Sequence, residues 1–254
     1  MSTAAISVVI ICYNAVETIE KTLQSASLVS DDIIIVDSGS TDGTQALART
    51  FPAKLLEMEW GGFGLTKNKG NQLAKNDWIL SLDADEELSG ELIGSIKNLD
   101  FTNTQKVYKI KRLNYLNHRP IKHGIWKDDW TMRIFNRNLV QWDASPVHEN
   151  LILPSKTQVC PLNGLLYHYT ASSIEIYNKK LDRYASLMAE KYFGERVSGH
   201  SYKVLISPFF SFFKSYFLRL GILDKRAGWQ IAIAHAAYTY KKYKRLQELS
   251  RKKG

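Results

Sequence analysis

Asp83 and Asp85 close the run Trp78-Ile79-Leu80-Ser81-Leu82-Asp83-Ala84-Asp85-Glu86-Glu87, and their types and spacing suit cation chemistry. A short apolar run reads as a buried strand, and this one ends abruptly in carboxylates. Two residues apart on an extended chain, Asp83 and Asp85 face the same side. Hard oxygen donors converging at a strand end make part of a shell for Mg²⁺ or Mn²⁺, the rest being water and substrate phosphate. Glu87, two residues further on, can add a third oxygen. Taken alone, such a tripeptide is more often a solvated turn ahead of a helix, here one beginning near Ser89, than a metal site. What precedes it changes that balance.

Residues 6–11 (Ile-Ser-Val-Val-Ile-Ile) form a β-branched run expected to be a buried parallel strand, with Cys12-Tyr13-Asn14-Ala15 as its exit loop. A helix is predicted over 16–28, with Ile19, Leu23 and Ala26 on one face. A second strand, 33–36, runs into Asp37-Ser38-Gly39-Ser40-Thr41-Asp42-Gly43-Thr44, which opens a helix through Arg49. A third strand over 53–58, a flexible loop at 60–64 and a helix over 67–75 lead to the strand that ends at Asp83. Strands alternating with helices imply right-handed crossovers and a mostly parallel sheet. Such sheets bind ligands beyond the carboxyl ends of their strands. Tyr13, Asp37, Asp83 and Asp85 all fall at such ends, which predicts one site. By itself Asp37 reads as a turn residue bonding its own backbone. Lys67 by itself reads as a solvated charge, unless the Gly-rich loop before it carries it to a phosphate.

The 254 residues allow one large domain or one domain with an appendage. Cys12 and Cys160 lack any zinc-ligand pattern, and two buried thiols suit a reducing, cytosolic compartment. Residues 4–11 are too short an apolar core for a signal peptide. The net charge of +9 is uneven: residues 200–254 hold twelve Lys and Arg against two Asp and Glu, a balance of +10, leaving −1 for the rest. A near-neutral body with a basic tail suggests an anionic partner. No nucleic-acid motif accompanies the charge, so no nucleic-acid partner is expected.

Residues 6–14, the Val36-to-Thr44 stretch, Lys67-Asn68-Lys69-Gly70 and Leu82-Asp83-Ala84-Asp85-Glu86 occur in the order and rough spacing of family 2 glycosyltransferases, which the chain resembles over its first hundred or so residues. The resemblance implies a GT-A fold: α/β, Rossmann-like, with a mostly parallel central sheet, followed here by a helical, basic C-terminal extension. It also implies a nucleotide-sugar donor at the strand ends, with Asp37 on the nucleobase and Asp83 on the ribose side. Tyr13, Asn14, Lys67 and Ala84 would complete the donor site, and Asp85 would hold the cation on the diphosphate. Several positions depart from the family pattern. Ile11 stands where many members have Pro, Ala15 where many have an acidic residue, Ser38 for a frequent second Asp, and Lys67 for a frequent Arg.

After Asp85 the alternation stops. A half-exposed strand is predicted over 106–116. Then come Trp126-Lys127-Asp128-Asp129-Trp130, Met132-Arg133-Ile134-Phe135, Trp142-to-Asn150 and Leu165-to-Tyr169, rich in aromatic and polar groups that suit a sugar acceptor. At least one of Trp126, Trp130 and Trp142 is expected only to pack. Inverting transfer needs a general base, for which Glu149, Asp128 and Asp129 are candidates. Val147-His148-Glu149, His168 and the 177–185 run resemble the branch that glucosylates the inner core of bacterial lipopolysaccharide. That branch implies Glu149 as base, where a structural hydrogen-bonding role is the alternative, with UDP-glucose as donor and a lipid-linked heptose acceptor. His168 can complete the metal shell by its type alone, and a histidine so placed is more often a structural one. The expected division is 1–170 catalytic (1–100 nucleotide-sugar half, 101–170 acceptor half) and 171–254 helical extension. A sugar-phosphate nucleotidyltransferase is the enzymatic alternative, and a non-catalytic membrane or nucleic-acid binding protein the other.

Helices are predicted over 173–193 and 229–240, with an aromatic-rich segment at 204–223 interrupted by Pro208, Lys214 and Arg219. That segment falls short of a spanning helix and reads as interfacial. The expectation is a peripheral protein on an anionic membrane surface, at the inner face of the bacterial inner membrane.

Overall fold

The structure, a computed structural model, describes residues 6–143, 149–195, 197 and 201–251. It divides into two compact units, Met1–Arg112 with Asp128–His168, and Leu113–Lys127 with Tyr169–Gly254. Residues 113–127, from the middle of the chain, therefore belong with the C-terminal helices.

In the first unit the elements run β1 (Ile6–Cys12), α1 (Ile19–Ser27), β2 (Ile33–Asp37), α2 (Thr44–Ala48), β3 (Lys54–Glu57), α3 (Phe63–Leu73), β4 (Trp78–Asp83), β5 (Glu86–Leu88) and α4 (Gly90–Lys97). β6 (Lys106–Leu116) follows and runs on into the second unit, which holds β7 (Arg119–Pro120); then come β8 (Asp129–Asn136), β9 (Gln141–Trp142), β10 (Leu151–Ile152) and β11 (Gln158–Ala171), whose last residues again belong to the second unit. The main sheet has the order β3-β2-β1-β4-β8-β6-β11-β5, with β7 on β6, and β9 pairs β10 separately. Strands β3, β2, β1 and β4 are parallel, joined by the predicted crossovers. From β8 onward the pairing is antiparallel where its register is defined.

Every residue of β1 and β2 is buried, as the unbroken apolar runs require of strands covered on both faces. Alternation sorts them into two cores: Val8, Ile10, Ile33 and Ile35 pack with Leu23 and Leu92, whereas Val9, Ile11, Ile34 and Val36 pack with Phe135 and Trp142. Ser89 caps α4 by accepting the Leu92 amide at 3.3 Å. The helix predicted to begin at Lys67 begins at Phe63, inside the stretch expected to be a loop. The carboxylates after β4 are not simply a solvated turn either, because Glu86–Leu88 is a strand paired with β11 and Glu86 is fully buried.

The second unit holds α5 (Ile174–Gly194), α6 (Ser201–Phe213) and α7 (Lys225–Arg251), with one wide helical turn and one tight one between α6 and α7. The 204–223 segment is thus broken rather than one continuous helix. The core of this unit joins Leu116, Ile121 and Trp126 to Tyr177, Leu181, Ile231 and Ala234. Trp126 Nε1 donates to the Tyr177 hydroxyl at 3.2 Å, and that hydroxyl meets His235 Nε2. Among the described residues no helix is long and apolar enough to cross a membrane. Both cysteines are free, Cys12 buried and Cys160 only partly so.

Candidate active site

Strand register builds the site. Cys12 pairs with Asp37 and Ile11 with Asp83, so β2, β1 and β4 end side by side with their carboxyl ends level. Ile11 O accepts the Ala84 amide at 3.1 Å, and Thr22 Oγ1 donates to Ala84 O at 3.0 Å, anchoring the turn after β4. Tyr13 projects from the end of β1 with 61% of its surface exposed. Asn14, in the left-handed region at φ 49°, accepts the Thr41 amide and donates its own amide to Ser40 Oγ, each at 2.8 Å. It ties the exit loops of β1 and β2 together.

Asp37 is fully buried, and its carboxylate is taken up by that loop. It accepts the Gly39 and Ser40 amides at 3.0 and 2.9 Å, Gln45 Nε2 at 2.6 Å, the Ser40 hydroxyl and the Cys12 thiol. Burial opposes its ionisation, but the bonds from Ser40, Gln45 and Cys12 outweigh burial and hold its pKa below the ordinary range. Burial, then Asp37, pushes the Cys12 thiol up, so it stays protonated.

Asp83 is held from a distance. Lys67 Nζ lies 3.2 Å from Asp83 Oδ1 and 2.7 Å from Glu149 Oε1, and Arg133 Nη2 donates to Asp83 Oδ2 at 2.7 Å. Lys67 is only 1% exposed. Helical spacing explains this, since Gly64, Lys67 and Gly70 recur every three residues on one face of α3. A Cβ on Gly70 would lie 2.4 Å from Val9 Cγ1, and one on Gly64 would lie 1.8 Å from the Asp143 carbonyl oxygen. The two glycines let this face press against its neighbours and bury the lysine between them. Asn68 completes the seat, donating to Trp142 O at 2.9 Å and accepting the Trp142 amide at 3.1 Å. The β9–β10 hairpin is so clipped to α3, its Trp142 ring lies 4.5 Å from Lys67 Nζ, and its return brings Glu149 to the ammonium. Ala144-to-His148, which include the predicted Val147-His148 pair, lie outside the described residues.

The network continues inward. Arg133 also donates to Glu86 Oε1 at 2.5 Å, and Glu86 Oε2 accepts the Asp83 amide at 3.0 Å. Arg112 lies 3.4 Å from Glu86 Oε1 and grips Asp129 through two nitrogens, at 2.9 and 3.2 Å. Asp129, Arg112, Glu86, Arg133, Asp83, Lys67 and Glu149 therefore alternate in charge along one connected chain. Burial would raise the Asp83 pKa, but Arg133 and then Lys67 overcome it and hold it well below the usual carboxylate range. Asp83 and Glu86 likewise hold Arg133 firmly protonated against its burial.

Two expectations about this region change. Asp83 and Asp85 do not share a face by alternation, because β4 stops at Asp83 and the chain turns through Ala84 and Asp85. Asp83, Asp85, Glu87 and His168 do not form one cluster, since among the described residues no three His, Cys, Asp or Glu converge as a metal shell. Asp83 faces two cations, and Glu87 lies on the less buried side of β5, opposite Tyr167. The remaining pair is Asp85 Oδ2 and His168 Nε2, 3.3 Å apart. Mg²⁺ and Mn²⁺ commonly take one or two carboxylates and leave other positions to phosphate and water, so this donor pair fits such a cation.

Asp128, at φ 60°, is exposed and lies 3.2 Å from Lys111 Nζ. Trp142 is buried edge-on against Phe135, Trp126 packs in the second unit, and Trp130 remains 42% exposed beneath Lys109. Glu86, Arg112 and Arg133 were not predicted as site residues. The detectable signals were Glu86 three positions after Asp83, and a lone Arg133 inside the apolar Met132-Arg133-Ile134-Phe135 run.

Comparison with known proteins identifies the family. The chain is 27% identical over 257 residues to the uncharacterized glycosyltransferase RT0209 of Rickettsia typhi, covering 97% of this chain and 88% of that protein. It is 25% identical over 252 residues to the lipopolysaccharide core biosynthesis glycosyltransferase LpsC of Rhizobium meliloti, covering 94% and 93%. Superposed on the crystal structure of S. aureus TarS 1-349 in complex with UDP, it gives a TM-score of 0.49 at 16% identity, covering 98% and 92%. The pattern of "Glycosyl transferase family 2" matches residues 7–149, more than half of the chain and the whole span from β1 to Glu149. With its α/β, GT-A-like architecture, a parallel half-sheet ending in this carboxylate and lysine constellation, the chain belongs to glycosyl transferase family 2.

Proposed function

We propose that this glycosyltransferase moves glucose from UDP-glucose, with inversion, onto a lipid-anchored saccharide, a heptose of the lipopolysaccharide inner core, at the cytoplasmic face of the bacterial inner membrane. The observation that carries this is Glu149 Oε1 held at 2.7 Å by the buried Lys67, which also faces Asp83 at the end of β4. Lys67 holds one oxygen of Glu149, Oε1, and the other, Oε2, would receive the acceptor. That oxygen takes the proton of the acceptor hydroxyl as its oxygen bonds to the anomeric carbon, and the bond from that carbon to the diphosphate breaks, releasing UDP. Tyr13, Asn14 and the loop that Asp37 holds in place would line the nucleobase, and Asp83 with the turn at Ala84 the ribose. Residues 1–100 would form the donor half and 101–170 the acceptor half. Asp85 and His168 would hold Mg²⁺ or Mn²⁺, which when bound would neutralise charge on the departing diphosphate. LpsC, by its name, acts in lipopolysaccharide core biosynthesis, which supports the acceptor class.

The test is incubation of the purified protein with a panel of nucleotide-sugars and a heptose-containing core acceptor, reading UDP release and the mass added. Transfer from UDP-glucose is expected, and chelation or Asp85→Ala should abolish it, a loss on the order of several kcal/mol in the transition state. Near-normal turnover by a folded Asp85→Ala protein would remove the metal role. Pyrophosphate release from a nucleoside triphosphate and a sugar phosphate would point to nucleotidyl transfer instead.

A further inference from the structure

Six large apolar residues of α6 lie on its outside, whereas Val204 is buried. Tyr202, Leu205, Ile206, Phe209, Phe210 and Phe213 recur at three- and four-residue spacing, which is one helix face, yet they are 41% to 74% exposed. Soluble monomers rarely leave a contiguous apolar patch of this kind in water without a use for it. Beside the stripe, α6 and α7 line a cleft of about 430 Å³. Ile206 and Phe210 form its apolar wall, Ser207, Ser211 and Thr239 bring hydroxyls, and Lys214 and Lys242 bring ammonium groups.

The basic run 241–245 is not a uniformly solvated tail. Lys241 pairs with Asp182 at 2.6 Å, Arg245 donates to the Asp182 carbonyl at 3.0 Å and to Ser186, and Lys244 lies over the Tyr240 ring. Lys242 turns into the cleft instead. The rings of Tyr192, Tyr238 and Tyr243 surround its ammonium at 5.1, 5.5 and 4.7 Å. No ion pair joins Lys242 or Lys214 to a carboxylate among the described residues. Burial pulls the Lys242 pKa below its usual value, a penalty that a bound anion would relieve. Two cations and the hydroxyls of Ser207 and Ser211 match the donors a phosphate accepts, Thr239 already donating to the His235 carbonyl at 2.8 Å, and they open beside an apolar helix face.

We propose that this face docks on an anionic phospholipid surface, with the α6 stripe in the acyl boundary and a lipid phosphate in the cleft between Lys214 and Lys242. The proposal deepens the reading of a lipid-anchored acceptor, on which it rests only in placing the enzyme beside a membrane. It departs from a purely electrostatic tail, because exposed Leu and Phe side chains insert by the hydrophobic effect, which salt does not screen.

Co-sedimentation of the full chain with vesicles of phosphatidylcholine alone, or mixed with phosphatidylglycerol, at low and high salt, tests this. The wild type should favour the anionic vesicles and keep part of its binding at high salt. Leu205→Ser with Phe209→Ser, at two highly exposed positions, should remove the salt-resistant part. Lys214→Gln and Lys242→Gln should each weaken binding to anionic vesicles about fivefold, the factor expected for one lysine near such a surface. Lys214 is exposed, so its variant keeps the test valid even if the Lys242 variant misfolds. Absence of binding to anionic vesicles, or a Lys214→Gln protein that binds like wild type, would overturn the proposal. So would a dimer in sedimentation velocity that the Leu205→Ser, Phe209→Ser pair dissolves, which would make a second copy the occupant. Transfer to a soluble, delipidated acceptor, read in parallel, should be unchanged in these variants. A wild type that transfers sugar but does not bind anionic vesicles therefore counts against this docking face alone, and a wild type that binds them but transfers nothing counts against the catalytic reading alone.

Discussion

Asp37 and Asp83 end the two strands that flank β1, and the protein satisfies them in opposite ways. Four of the five groups bonded to the Asp37 carboxylate come from Gly39, Ser40 and Gln45, at most eight residues away, and only the Cys12 thiol comes from another strand. Asp83 is held by Lys67 and by Arg133, and through Lys67 it is joined to Glu149. One carboxylate is the hub of a loop that the local sequence can build. The other is a junction that forms only when α3, β8 and the β9–β10 hairpin are in place. Local satisfaction makes a rigid wall, whereas distant satisfaction brings groups with different chemistry to one point.

The largest effect is expected at the far end of the distant network. Glu149→Gln should keep donor binding but lose about a hundredfold to ten-thousandfold in transfer, because an amide cannot accept the acceptor's proton. Single-turnover transfer together with a donor-binding assay reads both quantities. An active Glu149→Gln protein beside inactive Asp128→Asn or Asp129→Asn would move the base to the start of β8. Arg133→Met comes next. It leaves the fully buried Glu86 charge with only the longer Arg112 contact as a cationic partner, beside the Asp83 amide, and should cost about 3–5 kcal/mol in urea unfolding. Adding Glu86→Gln should recover much of that loss, since removing both charges is far cheaper than removing one. If the double variant is as unstable as the single one, the network is not the reason for the cost.

Acid separates the two units. In the second, burial lowers His235 from 6.5 to about 4. The unfolded chain therefore binds the extra proton first, and stability falls as pH drops from about 6.5 to about 4, by up to roughly 3 kcal/mol. In the first, the depressed Asp83 and Asp37 contribute in full above the ordinary Asp range, near pH 4, and are lost only as pH falls below it. Thermal melts of wild type and His235→Gln at about pH 7 and pH 5 check this: the wild type should lose stability between them and the variant much less. Equal pH slopes in the two proteins would refute it.

The smaller effects fall on the local carboxylate. Asp37→Asn weakens several bonds to a charged acceptor and should cost about 2 kcal/mol. Ser40→Ala removes one donor and should cost about 1 kcal/mol. A loss at Asp37→Asn as large as at Arg133→Met would erase the contrast between the two strand ends.

Much of the first unit was legible because its signals are short-range. The apolar runs of β1, β2 and β4 and the helical spacing of α1 need only neighbouring residues to declare themselves. Strand β5 was not legible, because three residues carrying two glutamates look like a turn until β11 supplies their hydrogen-bonding partner. The early start of α3 was hidden by Gly61, Gly62 and Gly64, which read as loop. The glycine at 64 serves close packing instead. Lys67 looked like a solvated helix charge because nothing nearby in sequence showed that Glu149, 82 positions later, would meet it.

Local sequence encodes the alternating strands and helices, the carboxylates at the strand ends, the self-contained Asp37 loop and the basic, aromatic-rich tail. Periodicity, turn chemistry and charge act over a few residues, so the chain displays them in order. Tertiary structure alone decided which carboxylates meet which cations. It took Asp83 away from Asp85 and gave it to Lys67 and Arg133, buried Glu86, and left Asp85 to His168. It also spent Lys241 and Arg245 on α5 while turning Lys242 into a cleft. A buried charge takes the opposite charge that packing brings within reach, and packing joins positions that sequence distance does not rank.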